Sequence, residues 1–284
     1  MNPMGIFGGT FDPIHYAHLR TAFELQQALR LKEIRFLPAG NPPHRDQPMA
    51  DAQLRLKMVQ LATADQPGFV VDDREVRKEG PSYSVETLGE LRHEYPDRSL
   101  CLIVGMDAFL SLPKWHQWRE LLQLAHLVVA HRPGWRAPGM GPLGELLVDR
   151  GTGRIGDLHE QRAGCIYIHA VTQLEISSTE VRQLIAMGRD PRFLMPDSVR
   201  KLILDTRCYA KSRTPKRQLR KSRRNREPRK KSPRARQRGL ANAPPAAPPS
   251  QSRPPKGPPR KALPPKSSPF KSRLRPNPLP PGGP

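Results

Sequence analysis

The chain has 284 residues, 3 cysteines, 34 prolines and a formal net charge of +22. Residues 1–210 carry 25 basic and 25 acidic side chains, whereas residues 211–284 carry 23 basic side chains and a single acidic one, Glu227. A neutral segment of about 200 residues is long enough to bury the core of one domain. The scattered cysteines exclude a disulfide framework, and we see neither a signal-peptide pattern nor an apolar run long enough to span a bilayer, so we expect a cytoplasmic protein.

Short apolar runs alternate with amphipathic segments through the first 210 residues. The apolar runs predict strands at residues 4–7, 33–38, 69–72, 99–104, 127–130 and 166–169. Helical spacing of apolar residues predicts helices at residues 16–31, 50–64, 84–95, 108–112, 178–187 and 197–206. This alternation predicts an α/β fold, with a Rossmann-like doubly wound parallel sheet in a single domain of residues 1–210. The glycine-rich residues 133–164 look like an insertion whose structure the pattern does not define.

The last part of the chain has a different composition. Residues 211–284 hold 19 of the 34 prolines and the run RKSRRNREPRKK. Such a composition cannot bury enough apolar surface to offset chain entropy, which predicts a disordered tail with local polyproline II character. Its charge favours weak, salt-sensitive binding to nucleic acid, and acidic membrane surfaces are a second possible partner. The alternative is a solubilising extension without a specific partner.

The most informative motif is GGTFDPIHYAHL at residues 8–19, which follows a predicted strand and opens a predicted helix. Gly8 and Gly9 allow the backbone to approach a polyphosphate, and a helix N-terminus offers N–H groups and a positive dipole end. His15 and His18, three residues apart, can face the same ligand and donate hydrogen bonds to phosphate oxygens. The alternatives are a purely structural turn or a metal-binding histidine pair, but no further ligands stand nearby.

This motif resembles the first signature of the nucleotidyltransferases with the HxGH motif, with Ala17 in place of the usual glycine. Their second signature, SxxxxR, is matched by Ser177 and Arg182. On its own, this second segment favours a well-capped helix with a solvent-facing Arg182 and an N-cap cluster at residues 177–179. Together the two signatures imply catalytic roles for three residues: His15, His18 and Arg182. They imply ATP-binding roles for seven others: Gly8, Gly9, Thr10, Phe11, Ser177, Ser178 and Thr179. Asp107, which follows a buried strand in the middle of the chain, is an eighth candidate for binding ATP.

Further segments refine the resemblance: NPPHR, PSYSVETL, GMDAFLSLPKW and HRPG follow in that order. Over residues 1–209 the chain resembles bacterial nicotinate-nucleotide adenylyltransferases. The resemblance implies six residues that bind the mononucleotide: His44, Arg45, Ser84, Trp115, His116 and Arg132. Ser84 would cap a helix whose N–H, with that of His116, receives the nicotinate carboxylate, and Trp115 would stack on the pyridine.

Each of these roles has a structural alternative. Trp115 fits a buried core position equally well, and His44 fits an ordinary proline-rich loop. Asp107 follows a buried strand and either binds the nucleotide through ribose or metal or serves as the N-cap of the helix at 108–112. A histidine at 116 departs from the more usual aromatic residue.

The resemblance implies transfer of AMP from ATP to nicotinate mononucleotide, giving deamido-NAD and pyrophosphate in NAD biosynthesis. Because the attacking phosphate is already ionised, catalysis reduces to in-line positioning and charge stabilisation, with Mg²⁺ accompanying ATP and no metal site built by the protein. Rival acceptors are nicotinamide mononucleotide, phosphopantetheine or, with CMP transfer, a polyol phosphate. A rival of another class is a nucleic-acid-binding protein with an inactive core. The sequence does not define the oligomeric state.

Overall fold

The computed structural model describes residues 2–43, 47–131 and 138–210, and these form one parallel β-sheet with helices on both faces. The sheet order is β3-β2-β1-β4-β5-β7-β6, and every neighbouring pair is parallel. The strands are β1 (Met4–Gly9), β2 (Glu33–Pro38), β3 (Phe69–Val71), β4 (Leu100–Gly105), β5 (His126–His131), β6 (Gly151–Thr152) and β7 (Ile166–Ala170). The predicted α/β, Rossmann-like fold is therefore confirmed.

The sheet separates two apolar layers, each formed between one face of the sheet and a set of helices. In chain order the helices are α1 (Tyr16–Ala28), α2 (Ala52–Thr63), α3 (Arg74–Arg77), α4 (Ser84–Glu94), α5 (Met106–Ser111), α6 (Leu121–Leu124), α7 (Gly141–Arg150), α8 (Ile155–Glu160), α9 (Ser178–Ala186) and α10 (Asp197–Thr206). Short 3-10 turns precede α6 at Leu112–Lys114 and Trp118–Glu120. One apolar layer joins the sheet to α1, α2, α9 and α10, and the other joins it to α4, α5, α6 and α7.

The chain order of the strands reverses beside β1. From β1 the sheet grows to one side through β2 and β3 and to the other through β4 and β5. The connections after β1 and β4 consequently leave toward opposite faces and open a crevice at the carboxyl ends of these two strands. Ligands of open α/β sheets bind at such a switch point.

The structure corrects the predicted end of the first strand and defines a segment that the sequence pattern left open. The first strand does not end before the glycines, because β1 continues through Gly8 and Gly9, which pair with Leu37 and Pro38 of β2. The glycine-rich segment, whose structure the pattern did not define, contains α7, β6 and α8 in its described part, and β6 extends the sheet beside β7. Its glycines weaken the apolar periodicity, so this region gives little local signal.

Several predictions concern residues outside the described ranges. They are the mononucleotide contacts of His44, Arg45 and Arg132 and the tail at residues 211–284. Among the helices that the structure describes, none has the length and apolar character needed to cross a bilayer.

Candidate active site

A cleft of about 1320 Å³ opens at the carboxyl edge of the sheet, beside β1 and β4. All the sequence-predicted site residues within the described ranges line it. They are Gly8, Gly9, Thr10, Phe11, His15, His18, Ser84, Asp107, Trp115, His116, Ser177, Ser178, Thr179 and Arg182. The structure thus brings together segments from both signatures and from the middle of the chain.

The turn after β1 is shaped by Phe11. This residue has a positive φ of 48° and is only 3% exposed. Its ring packs edge-on against those of Phe7 and His18, with centroid distances of 5.9 and 5.2 Å. A Cβ atom at Gly9 would lie 3.0 Å from the same ring, so Gly9 leaves space for Phe11 as well as for a ligand. Phe11 therefore anchors the turn in the core while bordering the cleft.

His15 and His18 form the start of α1. His15 is the N-cap, with extended backbone, and its N–H donates to His18 Nδ1 at 3.3 Å. The two rings stack with centroids 3.7 Å apart. His15 is only 3% exposed, and this burial lowers its pKa to about 4, with Glu180 opposing the shift. His15 is consequently a neutral imidazole at neutral pH.

One atom of His15 stands out within the described part of the chain. Nδ1 of His15 is a buried side-chain nitrogen without a hydrogen-bond partner. Such an atom costs about 1–3 kcal/mol when left unsatisfied. Because this ring borders the cleft, a bound ligand that hydrogen-bonds to it would remove that cost.

The helix N-terminus is less open than its sequence indicates. The N–H of Tyr16 donates to Leu194 O at 3.0 Å, and the N–H of His18 donates to His15 O at 3.0 Å. The first-turn amide that remains for a ligand is that of Ala17, which borders the cleft. Side-chain imidazoles thus supply more of the donors here than helix amides do.

The second signature lines the same cleft at the start of α9, which packs on the same face of the sheet as α1. Ser177 is the N-cap, and its Oγ accepts from Glu180 N–H at 3.2 Å while Ser177 N–H donates to Glu180 Oε2, which confirms the predicted N-cap cluster. Ser178 Oγ donates to Pro13 O at 2.9 Å. Arg182 Nη1 donates to Asp12 O at 2.7 Å, and its Nη2 donates to Thr179 Oγ1 at 3.3 Å. These bonds tie α9 to the turn after β1.

Asp12 organises this region and was not identified from sequence. It is 5% exposed, and its carboxylate accepts three hydrogen bonds: from Met49 N–H, Ala50 N–H and the hydroxyl of Tyr209 at 2.7 Å. Tyr209 is itself 1% exposed, and burial raises the pKa of its hydroxyl. No local pattern links two residues that are 197 positions apart, although the motif itself contains Asp12.

The other end of the cleft carries aromatic residues. Ser84 does not cap α4 as predicted: Tyr83 holds the N-cap position, and Ser84 is the first helical residue. The amide of Ser84 is still one of the first-turn N–H groups that no helical carbonyl can reach. The ring of His116 lies against that of Tyr83, with centroids 4.5 Å apart, so this histidine packs as an aromatic residue does.

Trp115 and Asp107 complete this end. Trp115 is half-buried, and its Nε1 donates to Ser111 Oγ at 3.4 Å, so one face packs on the core while the side chain also lines the cleft. Asp107 is not an N-cap, because α5 begins earlier and Gly105 occupies that position. Its carboxylate is exposed at the cleft. Among the described residues, no group of three or more His, Cys, Asp or Glu could hold a metal ion.

Comparison with known proteins assigns the chain to a family. Residues 6–184 match the cytidylyltransferase-like family. The chain is 49% identical over 207 residues to a protein from Aeromonas hydrophila named "Probable nicotinate-nucleotide adenylyltransferase", a match that covers 73% of this chain and 97% of the relative. A Methylococcus capsulatus protein of the same name is 48% identical over 209 residues, covering 73% of this chain and all of the relative.

The fold has a counterpart among solved structures. The nicotinic acid mononucleotide adenylyltransferase of Plasmodium falciparum, solved in complex with NaAD, superposes with a TM-score of 0.57 at 15% identity, covering 74% of this chain and 98% of that one. At this identity the likeness concerns the fold alone. The sequence relatives carry the assignment: this chain belongs to the cytidylyltransferase-like family and, within it, to the nicotinate-nucleotide adenylyltransferases.

Proposed function

We propose that the chain transfers AMP from ATP to the phosphate of nicotinate mononucleotide, with deamido-NAD and pyrophosphate as products. The observation that carries this proposal is the position of His15, His18 and Arg182 around one cleft at the switch point of the sheet. Trp115 and His116 border the same cleft and suit a flat pyridine ring. The family to which the chain belongs supports the same reaction.

The chemistry needs no basic residue in the protein. An oxygen of the mononucleotide phosphate attacks the α-phosphorus of ATP, a new P–O bond forms, and the bond from that phosphorus to the α–β bridging oxygen breaks. The electron pair leaves with pyrophosphate. The protein has to align the two phosphates and stabilise the charge that develops on the oxygens.

We assign charge stabilisation to two kinds of donor, a neutral imidazole and a charged guanidinium. His15 is neutral because of its burial, so it acts as a hydrogen-bond donor to a phosphate oxygen and not as a full positive charge. Arg182 supplies a permanent charge and a planar set of donors, and its bonds to Asp12 and Thr179 fix it at the cleft wall. Ser178 and Thr179 add hydroxyl groups beside it.

A divalent cation fits this site as part of the ATP substrate. Mg²⁺ commonly binds through substrate phosphates, waters and one or two carboxylates, and the exposed carboxylate of Asp107 at the cleft suits that arrangement. When bound, the ion would neutralise charge on the pyrophosphate that leaves. The residues described above would then orient the nucleotide.

Three further roles rest on the resemblance. We assign His44, Arg45 and Arg132 to the mononucleotide phosphate, since each carries donors suited to it. Replacement of any of the three should raise the KM for the mononucleotide more than the KM for ATP.

A steady-state assay tests the proposed function directly. Purified protein is given Mg²⁺, ATP and either nicotinate or nicotinamide mononucleotide, and pyrophosphate and dinucleotide are both measured. We expect product with a higher kcat/KM for the acid. A protein that releases pyrophosphate only with another phosphorylated acceptor would belong to a different branch, and one that releases none would contradict the enzymatic assignment.

We infer a second, separable activity from the composition of residues 211–284. Residues 211–284 carry 23 basic side chains and one acidic side chain, and more than a quarter of the chain has no counterpart in the two relatives. We propose that residues 1–210 form the catalytic domain and that the tail binds nucleic acid weakly by counterion release. A protein ending at Ala210 should keep its adenylylation rate and lose affinity for single-stranded RNA at low salt. Equal RNA affinity of the two proteins would exclude this role.

A further inference from the structure

Arg55 is a buried cation beside the cleft. Among the described residues, it is the largest residue whose side chain is fully buried, and it is only 1% exposed. It lies in α2, where an arginine is expected on the surface. Burial lowers its pKa, with the carboxylate of Asp12 opposing the shift. A buried charge is tolerated only where its donors are satisfied, so its partners indicate what it stabilises.

Those partners are backbone carbonyls of three separate segments. Nη1 donates to Thr10 O at 2.7 Å and to Ala39 O at 2.6 Å, and Nη2 donates to Gly40 O at 3.0 Å. Nε donates to Ala50 O at 3.1 Å. One guanidinium therefore connects the turn after β1, where ATP is proposed to bind, with the loop after β2, which leads to the proposed mononucleotide residues.

Ser82 bonds the amide of Gly40, whose carbonyl is bonded by Arg55. The hydroxyl oxygen of Ser82 accepts from Gly40 N–H at 3.1 Å and from Asn41 N–H at 3.2 Å, and Ser82 N–H donates to Asn41 O at 2.9 Å. A Cβ atom at position 40 would lie 2.0 Å from the carbonyl oxygen of Glu75. The loop is thus fixed by Arg55 through its carbonyl oxygens, by Ser82 through its amides and by close backbone contact with Glu75.

We propose that Arg55 is a positioning residue that sets the distance between the ATP and mononucleotide subsites, with Ser82 holding the mononucleotide side. Arg55 does not line the cleft, so it acts through the backbone of Thr10 and Gly40. This inference rests on the proposed function. In-line attack needs the reacting atoms within about 3–3.5 Å, and a shift of about 1 Å can cost on the order of a hundredfold in rate.

The chain offers a matched control in Arg92. This arginine also donates to backbone carbonyls of several segments, including Leu124 O, Arg98 O and Arg162 O, but it lies at a different cavity, away from the cleft. Arg55→Lys and Arg92→Lys each keep the charge and lose the planar set of donors. We expect both variants to lower Tm. Only Arg55→Lys should raise the KM values for ATP and mononucleotide together, each by about tenfold, with a lower kcat.

Equal KM values for Arg55→Lys and wild type, or the same KM increase in Arg92→Lys, would overturn the proposal. If Arg55→Lys does not fold, the Ser82→Ala variant tests the positioning of the loop instead. This change removes one partly exposed hydroxyl, so we expect the variant to fold. That variant should raise the mononucleotide KM about fivefold and leave the ATP KM within twofold of wild type. An unchanged KM for the mononucleotide in Ser82→Ala would contradict the proposed positioning role.

Failure of the proposed function is distinguishable from failure of this inference. If the wild-type protein shows no adenylylation, the proposed reaction is wrong, and the positioning role is then tested by equilibrium binding of ATP alone. Arg55→Lys should weaken that binding about tenfold while Arg92→Lys does not. If the wild-type protein is active and Arg55→Lys keeps wild-type kinetics, the proposed function stands and the positioning role is excluded.

Discussion

The imidazole rings of His15 and His18 lie stacked, with their centroids 3.7 Å apart and their planes 25° from parallel. The N–H of His15 also donates to Nδ1 of His18. Each histidine therefore helps to fix the orientation of the other, and Phe11 contacts the ring edge of His18. We therefore propose that the pair acts as one preorganised set of donors, which would lower the reorganisation needed when charge develops on a phosphate.

Replacement of His18 should affect the chemical step. We expect His18→Ala to lower kcat by about 10²–10³, the usual cost of losing one preorganised donor, with a smaller change in KM. Steady-state kinetics on the purified variant measure this, and circular dichroism checks the fold. His93→Ala, on the exposed face of α4, is the control and should keep wild-type turnover. Near-normal turnover of His18→Ala would refute the catalytic role.

The burial of His15 predicts a dependence of stability on pH. Its pKa is about 4 in the folded protein and about 6.5 in an unfolded chain, so the unfolded state binds more protons between these values. The free energy of unfolding should therefore fall as the pH decreases from about 6.5 to about 4. For this group alone the loss between pH 7 and pH 5 is on the order of 1–2 kcal/mol.

Urea unfolding at the two pH values tests this with His15→Asn, which keeps a good N-cap residue. The variant should show a smaller decrease in stability than wild type. A decrease remains, because burial lowers the pKa of His126 as well. His93→Asn should behave as wild type, and an unchanged decrease in His15→Asn would mean that burial of this ring is not the cause.

Arg182 should depend on its planar set of donors. Arg182→Lys keeps a positive charge but cannot bond Asp12 O and Thr179 Oγ1 while also facing a phosphate. We expect the KM for ATP to rise about tenfold and kcat to fall, with the mononucleotide KM less affected. Arg189→Lys, an exposed change near the end of α9, serves as the control. Equal ATP kinetics in both variants would argue against contact between Arg182 and ATP.

Gly40 should tolerate no side chain. The added methyl of Gly40→Ala would meet the Glu75 carbonyl at 2.0 Å, and backbone atoms cannot rotate away. We expect a loss of about 1–3 kcal/mol in the free energy of unfolding, together with a higher KM for the mononucleotide. Gly89→Ala is the matched control, because nothing lies within 4 Å of its Cβ and it sits inside α4. That change should be neutral or slightly stabilising, and equal losses in both variants would contradict the steric argument.

The sequence predicted the sheet well because buried parallel strands are short apolar runs. The predicted limits of the strand at 33–38 match β2 completely, and the predicted helix at 197–206 matches α10. Local rules failed where geometry depends on distant contacts. A serine is a better N-cap residue than a tyrosine, so Ser84 was predicted to cap α4. In the structure the backbone of Tyr83 is extended, and Tyr83 is therefore the N-cap.

The sequence indicated which candidate residues lie together at the cleft, but not which residues hold them in place. Motif spacing identified the two histidines and Arg182, whose side chains border one cleft. Arg55 was missed because an arginine within an amphipathic helix normally faces solvent, and its four carbonyl partners come from loops whose approach no periodicity encodes. The contacts of Asp12 were missed because its hydrogen-bond partners are also distant in the sequence.

The hydrogen bond between Tyr209 and Asp12 has a consequence for biosynthesis. Asp12 is translated 197 positions before Tyr209, whose hydroxyl donates to its carboxylate. The early strands and helices can pair as they emerge, since domains generally fold from the N-terminus during translation. The turn between β1 and α1 receives this partner only after α10 has emerged, so a nascent chain completes the hydrogen bonds of its candidate active site only once Tyr209 has been translated.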